Sequence, residues 1–151
     1  MTNPELLIPE RVRCQVDITS KKRTLEVLSE LIASGNGSLA APDVLNCLVS
    51  REKLGSTGLG HGVAIPHARM ADVTFAIAAA LTLQDGVDFD APDGEPVNLV
   101  VGLIVPEEST EEHLNILATL AESFSDPSKV RALCEATTPE SVCKLLNENS
   151  G

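Results

Sequence analysis

The sequence VNLVVGLIV, from Val97 to Val105, gives the clearest indication of the fold. It is almost continuously apolar. A strand with one face in water alternates apolar and polar residues, whereas a strand buried on both faces does not. The stretch therefore predicts a strand that other elements cover on both sides.

Further strands are predicted before this one. Asp93-Gly94 marks a turn ahead of it, and a short strand is predicted within residues 62–66. Apolar side chains also alternate with smaller residues, the period of a strand, at Val73, Phe75, Ile77, Ala79 and Leu81.

Two helices are predicted ahead of the strands. Ser20 is placed to cap a helix that runs to about Ser34, with apolar residues at helical spacing. A second helix begins near Pro42 and ends before Gly55. Both patterns leave one apolar face to pack on a sheet.

Three more helices are predicted after the strands. The first of them begins at a capping box formed by Ser109 and Glu112. The second is short and spans 127–136, and the third begins at Thr138-Pro139. Helices, then strands, then helices around one core predict an α/β domain. Strand order and direction are not readable from the pattern.

Length and composition predict one globular domain. The chain has 151 residues, which is one domain at roughly 100–200 residues each. Apolar residues make up 43% and charged residues 22%, which argues against general disorder. Residues 1–10 are predicted to be an N-terminal tail and residues 11–148 the folded domain.

The charge argues against nucleic acid and membrane surfaces as partners. Acidic residues outnumber basic ones 22 to 11, giving a net charge of −11 that repels phosphate backbones and anionic lipids. No apolar run reaches the ~18 residues of a spanning helix, and the N-terminus does not look like a secretory signal. We therefore expect a cytoplasmic protein without membrane insertion.

The four cysteines do not form a metal-binding pattern. Cys14, Cys47, Cys134 and Cys143 show no C-x-x-C pair and no spacing typical of zinc sites. We expect free thiols in a reducing compartment, with Cys47 and Cys143 as small core residues of helices. No metal and no cofactor is predicted.

A glycine-rich loop carries the candidate chemistry. Residues 51–69 read REKLGSTGLGHGVAIPHAR, with four glycines within eight residues. Glycines at this density let backbone N–H groups approach an anion. The loop matches neither the Walker pattern nor the dinucleotide fingerprint. On the glycines alone, a tight connection without a ligand is an equally good interpretation.

His67 follows the loop and a short strand-like segment. Imidazole is a competent nucleophile near neutral pH, and attack on a phosphoryl group would give phosphohistidine. Arg51 could contact two phosphoryl oxygens, and His113, in the first turn of its helix, could donate a hydrogen bond. The alternatives are an ordinary hydrogen-bonded histidine and two solvated surface residues. Only proximity in space, which spacing does not show, would decide between them.

The loop resembles a known family. REKLGSTGLGHGVAIPHAR is similar to the active-site region of enzyme IIA of the mannitol/fructose type, the histidine phosphocarriers of the bacterial phosphoenolpyruvate-dependent phosphotransferase system. Within that group the chain looks most like the nitrogen-regulatory enzyme IIA. Further matches are SKKRTLEVLSELI, FDAPDGEPVNLVVGLIVP and EEHLNILATLAE, so the resemblance extends from about residue 11 to 146.

The resemblance implies a role for each site residue. His67 would be the phosphorylated histidine, His113 the auxiliary histidine and Arg51 the active-site arginine. Apart from the resemblance, we expect loop N–H groups, of Ser56 or Thr57, to help to stabilise the phosphoryl charge. The resemblance also implies a mixed β-sheet flanked by helices on both faces, an HPr-type donor protein and a stoichiometric carrier role. His61 is assigned no chemistry.

Three functions stay open at this point. The first is a phosphocarrier serving nitrogen-related regulation through binding of target proteins. The second is a sugar-specific enzyme IIA that passes phosphate to a IIB domain, and the third is a binding module in which phosphorylation is only a switch. A hydrolase or metalloenzyme is disfavoured, because the sequence has no H-x-x-x-H or similar pair.

Overall fold

The structure is a computed structural model that describes residues 7–34, 39–71, 73, 75–108 and 110–147, without the side chains of residues 110, 112, 113 and 147. The described strands are β1 (Val12–Val16), β2 (Gly58–Gly60), β3 (Val63–Ala64), β4 (His67–Met70), β5 (Ile77–Val87) and β6 (Val97–Pro106). The described helices are α1 (Lys21–Ala33), α2 (Ala41–Leu54), α3 (Thr110–Phe124), α4 (Pro127–Glu135) and α5 (Pro139–Asn147), with a short 3-10 helix at Pro9–Arg11.

The six strands form one mixed sheet. Their order is β1-β5-β6-β3-β2, and β4 also pairs with β6. The pairs β1–β5, β3–β6 and β4–β6 are parallel, whereas β5–β6 and β2–β3 are antiparallel. β3 and β4 thus lie one after the other along the same side of β6.

The break between β3 and β4 positions His67. Val63 is paired with Leu99 and His67 with Leu103, so the chain keeps its direction across the break. Pro66 lies in the gap and has no N–H for a ladder bond, but its carbonyl accepts from the Leu103 N–H at 2.9 Å. His67 therefore begins a new strand that is paired with β6.

Strand β6 is covered on both faces, as the sequence predicts. Ile104 packs in the core formed with α1 and α2, beside Leu28 and Leu48. Leu103 belongs to the core on the other face, which includes Leu120 and Leu133 of the later helices. The predicted α/β class, a mixed sheet flanked by helices on both faces, is confirmed.

Most of the predicted helices are confirmed. The Ser20 hydroxyl accepts a hydrogen bond from the Arg23 N–H at 3.1 Å and caps α1. The bounds of α2 and α4 and the start of α5 fall within two residues of the prediction. The predicted capping box cannot be compared, because Ser109 and the Glu112 side chain lie outside the described residues.

Two strand predictions need correction. The alternating pattern predicts a strand from Val73, but β5 begins at Ile77, where its pairing with β6 begins. Val73 is buried and Phe75 is 54% exposed, so the two do not share a face. The short strand predicted in 62–66 is confined to β3, and the sequence pattern predicts none of β1, β2 and β4.

Other expectations concern the N-terminus and the cysteines. Leu7 is buried in the second core, and the tail boundary at residue 10 stays a prediction. No disulfide joins the four cysteines, all of which fall in described segments. Cys143 is buried, and Cys47 is half-buried against the first core. None of the helices described has the length and apolarity to cross a membrane.

Replacing Leu28 with alanine should destabilise the fold strongly. Leu28 is completely buried, and its side chain packs against Gly102 of β6. Truncation of the Leu28 side chain therefore leaves a cavity. We expect a loss of about 2–5 kcal/mol in the free energy of unfolding, measured by urea denaturation. Leu54→Ala is the matched control, because Leu54 is 84% exposed. Equal stabilities of the two variants would contradict this account of the core.

Candidate functional site

The end of α2, the glycine-rich loop, β4 and α3 line a small open hollow beside His67. Its volume is about 210 Å³. The lining residues are Arg51, Ser56, Thr57, Gly58, Leu59, Ile65, His67, Leu117 and Ala121. A second hollow of about 280 Å³ is lined by Ser50, Arg51, Leu54, His67, Ala68 and Arg69. Arg51 and His67 border both, so the structure brings these two predicted site residues together.

The His67 ring is held by its own backbone. Its Nδ1 lies 2.7 Å from the carbonyl oxygen of Ile65. A carbonyl can only accept, so Nδ1 carries the hydrogen and donates it. In the neutral ring this leaves the lone pair on Nε2. The hydrogen bond therefore selects one tautomer and fixes the ring orientation.

The surroundings of His67 favour its neutral form. Burial of the ring lowers the pKa of His67 below its ordinary value of 6.5, and the Arg51 guanidinium lowers it further. The Ile65 hydrogen bond and the Glu52 carboxylate act in the opposite direction without reversing the shift. At neutral pH the ring is therefore a neutral imidazole suited to nucleophilic attack.

Arg51 is anchored at the end of α2. Its Nη1 donates to the carbonyl oxygen of Gly55 at 2.9 Å. A guanidinium has five N–H donors, so this one bond leaves others for the oxygens of an anion. The arginine is half-exposed, which keeps it accessible from the hollow.

The polar groups of Ser56 and Thr57 are engaged inside the loop. The Ser56 hydroxyl donates to the Phe89 carbonyl at 2.6 Å and accepts from the Gly58 N–H at 3.0 Å. The Thr57 N–H donates to Glu52 Oε1 at 3.1 Å, and its hydroxyl donates to the same oxygen. Phosphate binding by the loop N–H groups of Ser56 and Thr57 stays a prediction.

Glu52 and Lys21 are site residues that the sequence analysis missed. The Glu52 side chain is 6% exposed and lies directly under the loop, where its Oε2 is 2.8 Å from Lys21 Nζ. A glutamate on an amphipathic helix gives no signal that it points inward. Glu52 is recognised as a site residue only from its contacts in the folded chain, with Thr57 of the loop and Lys21 of another helix.

His113 belongs to α3, which borders the hollow. It precedes Leu117 by four residues, which is about one helical turn. Its side chain lies outside the described part of the structure. The predicted auxiliary role of His113 therefore stays a prediction.

His61 lies at the tip of the turn between β2 and β3 and does not line either hollow. Its side chain is exposed, its φ is 57°, and its backbone N–H donates to Asp93 Oδ2 at 2.9 Å. This N–H and that of Glu95 lower the pKa of the Asp93 carboxyl. The hydrogen bond from the His61 N–H to Asp93 thus stabilises the turn through the backbone.

Two of the loop glycines are required by the backbone. A Cβ on Gly58 would lie 2.9 Å from the Cβ of Ala91, closer than such atoms approach in proteins. Gly60 has a φ of 89°, a backbone conformation that residues other than glycine rarely adopt. The glycines therefore serve close packing of the loop, whether or not they also serve a ligand.

Comparison with known proteins agrees with the family resemblance. Residues 5–149 match the family described as phosphoenolpyruvate-dependent sugar phosphotransferase system, EIIA 2. A nitrogen regulatory protein of Pseudomonas aeruginosa is 43% identical over 143 residues, which cover 94% of this chain and 92% of that protein.

Two solved structures have the same fold. The crystal structure of Nitrogen Regulatory Protein IIA-Ntr from Neisseria meningitidis has a TM-score of 0.89 and 44% identity, covering 94% of this chain and 97% of that one. A chain from a complex of enzyme IIAMTL and phosphorylated enzyme IIBMTL from Escherichia coli has a TM-score of 0.79 and 22% identity, with coverages of 94% and 97%.

The chain belongs to the EIIA 2 family of the phosphoenolpyruvate-dependent sugar phosphotransferase system. The predicted identification as an enzyme IIA of the mannitol/fructose type is confirmed. Within the family the chain is similar to nitrogen regulatory proteins over nearly its whole length, as the sequence analysis expects.

Replacing Arg51 with methionine should raise the pKa of His67. The guanidinium disfavours the imidazolium, so its removal makes protonation easier. The measurement is an NMR titration of the His67 ring. Lys53→Met is the control, because Lys53 lies two residues away on the exposed surface. A pKa that stays constant or falls in Arg51→Met would contradict the electrostatic role of Arg51.

Proposed function

We propose that this chain is a histidine phosphocarrier that accepts a phosphoryl group on Nε2 of His67 from an HPr-type donor protein. The observation that carries the proposal is the 2.7 Å contact between His67 Nδ1 and the Ile65 carbonyl in a half-buried ring beside Arg51. This contact gives the ring a defined tautomer and orients its nucleophilic nitrogen. Membership of the EIIA 2 family supports the same function.

The transfer of the phosphoryl group needs only the donor's phosphohistidine and His67. Nε2 of His67 attacks the phosphorus of the donor's phosphohistidine in line with the donor's N–P bond. As the new N–P bond forms, the old one breaks, and its electron pair returns to the donor's imidazole. The hydrogen stays on Nδ1 throughout and is donated to the Ile65 carbonyl, which stabilises the positive charge that develops on the His67 ring.

Arg51 is the cation best placed to stabilise the phosphoryl oxygens. It borders both hollows next to His67, and electrostatic stabilisation by preorganised groups is a main source of catalysis in phosphoryl transfer. We propose that His113 from α3, together with loop N–H groups of Ser56 and Thr57, adds hydrogen bonds as the donor docks. Engagement of Thr57 in this way would turn its N–H from Glu52 to the phosphoryl group, while its hydroxyl keeps the bond to Glu52 Oε1.

The surface around the site suits a protein donor. Leu54 and Leu59 each line one of the two hollows and are 84% and 44% exposed. Apolar side chains of this kind form the centre of protein interfaces and exclude water from a labile phosphoryl group. A chain of net charge −11 favours a donor with a basic face.

We propose a regulatory output in the cytoplasm, with phosphorylation controlling the binding of target proteins. The support is the similarity to proteins named nitrogen regulatory protein. A dianionic phosphoryl group on His67 would add charge to the surface formed by the two hollows, and a change of this kind shifts protein binding.

A second candidate is phosphoryl transfer to a IIB domain. It is favoured by the structural likeness to an enzyme IIAMTL that was solved in complex with phosphorylated enzyme IIBMTL. At 22% identity this likeness supports the fold, and the IIB partner stays a proposal for this chain.

Phosphorylation should occur on His67 alone. Incubation with an HPr-type carrier, its kinase and phosphoenolpyruvate should label the wild-type chain, with a ³¹P NMR signal of Nε2-phosphohistidine. His67→Ala should take no label, and the control His61→Ala should behave as wild type, because His61 is absent from both hollows. Label that survives in His67→Ala, or a signal of the Nδ1 isomer, would refute the proposal.

The two outputs can be separated by experiment. If regulation works through the unphosphorylated form, wild type and His67→Ala should retain the same target from a cell extract, and the charge mimic His67→Asp should not. If the chain donates phosphate to a IIB domain, the purified phosphorylated chain should transfer its label to that domain when the two are mixed. Retention of label with target binding would reject the second candidate.

A further inference from the structure

We infer that Glu52 is a positioning residue for phosphoryl transfer at His67: its buried carboxylate, clamped by Lys21, holds Thr57 and with it the glycine-rich loop in the conformation that the transfer needs. This inference rests on the proposed function. It concerns a residue that does not touch the reacting atoms and acts through the loop.

The contacts of Glu52 join the helix end to the loop. Glu52 is the neighbour of Arg51 in the last turn of α2, and its Oε1 accepts both the N–H and the hydroxyl of Thr57. Thr57 in turn lines the hollow and accepts the Ile65 N–H on its carbonyl at 3.0 Å. Ile65 is the residue whose carbonyl holds the His67 ring. One chain of hydrogen bonds therefore runs from Glu52 to the imidazole.

Lys21 fixes the other side of the carboxylate. Its ammonium lies 2.8 Å from Glu52 Oε2 and 5.3 Å from the centre of the Phe89 ring. The Phe89 carbonyl accepts the Ser56 hydroxyl, so the same cluster also holds the residue before Thr57. The cluster thus ties the start of α1, the end of α2 and the β5–β6 connection to the loop.

Stability alone does not account for this cluster. Removing two charges from water is expensive, and an apolar pair of similar volume often gives equal or greater stability than a buried ion pair. What an apolar pair cannot do is accept two hydrogen bonds from Thr57 and set the position of the loop. Displacements of about 1 Å in a positioning group can lower a rate by roughly 100-fold.

The Glu52 carboxylate also acts on His67 through space. Its charge raises the pKa of His67, whereas Arg51 lowers it. Replacement of Glu52 by a neutral residue should therefore lower the pKa of His67. A residue with a merely structural role at a distance would not change this titration.

The test replaces the ion pair by apolar residues, Lys21→Met with Glu52→Leu. The matched control is Arg23→Met with Glu26→Leu, which removes a more exposed ion pair of α1 at 3.2 Å. Each variant is checked for folding by circular dichroism. The initial rate of phosphoryl transfer is then measured against the concentration of phosphorylated HPr-type carrier, and the His67 ring is titrated by NMR.

We expect the Lys21/Glu52 variant to be folded, with kcat lowered at least about tenfold and KM within about twofold of wild type, because the buried cluster does not touch the donor. The pKa of His67 should fall. The control should match wild type in all three measurements. A folded Lys21/Glu52 variant with wild-type kcat overturns the inference.

Variants of Thr57 keep the test decisive if the first variant does not fold. Thr57→Val removes the hydroxyl that Glu52 accepts and should lower kcat, whereas Thr57→Ser keeps the hydroxyl and should restore it. Equal kcat in both overturns the inference. If wild type itself takes no phosphate on His67, the proposed function fails and this inference with it. A labelled wild type with unaffected variants rejects the inference alone.

Discussion

The site depends on one hydrogen bond, from Nδ1 of His67 to the carbonyl oxygen of Ile65, two residues earlier in the chain. It exists because the strand along β6 is interrupted at Pro66. In that gap the Ile65 N–H donates to Thr57 and the Pro66 carbonyl accepts from Leu103. The Ile65 carbonyl therefore points at the imidazole. The break between β3 and β4 thus selects the tautomer of His67 that has its hydrogen on Nδ1.

The charges around the ring have opposite effects, which suits a carrier. Burial and Arg51 favour the neutral imidazole that can attack a phosphoryl group, whereas the Glu52 carboxylate favours the cation. A ring made too basic would be protonated and unreactive at neutral pH. Arg51 and Glu52 are consecutive residues in the last turn of α2, so one helix end supplies both influences.

The sequence predicts the features with local causes. The cap at Ser20, the apolar run of β6 and the Pro66-His67 pair each lead to the observed element or residue, because neighbours in the chain determine them. β1, β2 and β4 are missed and the start of β5 is misplaced, since strand limits depend on pairing partners that a local pattern does not show. The cluster of Lys21, Glu52 and Thr57 is missed for the same reason: its members come from two helices and a loop.

The most direct test is the protonation state of the His67 ring in the unphosphorylated protein at pH 7.5, observed by long-range ¹H–¹⁵N NMR. The account predicts a neutral ring with the hydrogen on Nδ1 and a non-protonated Nε2. A ring with its hydrogen on Nε2, or an imidazolium at this pH, would contradict it.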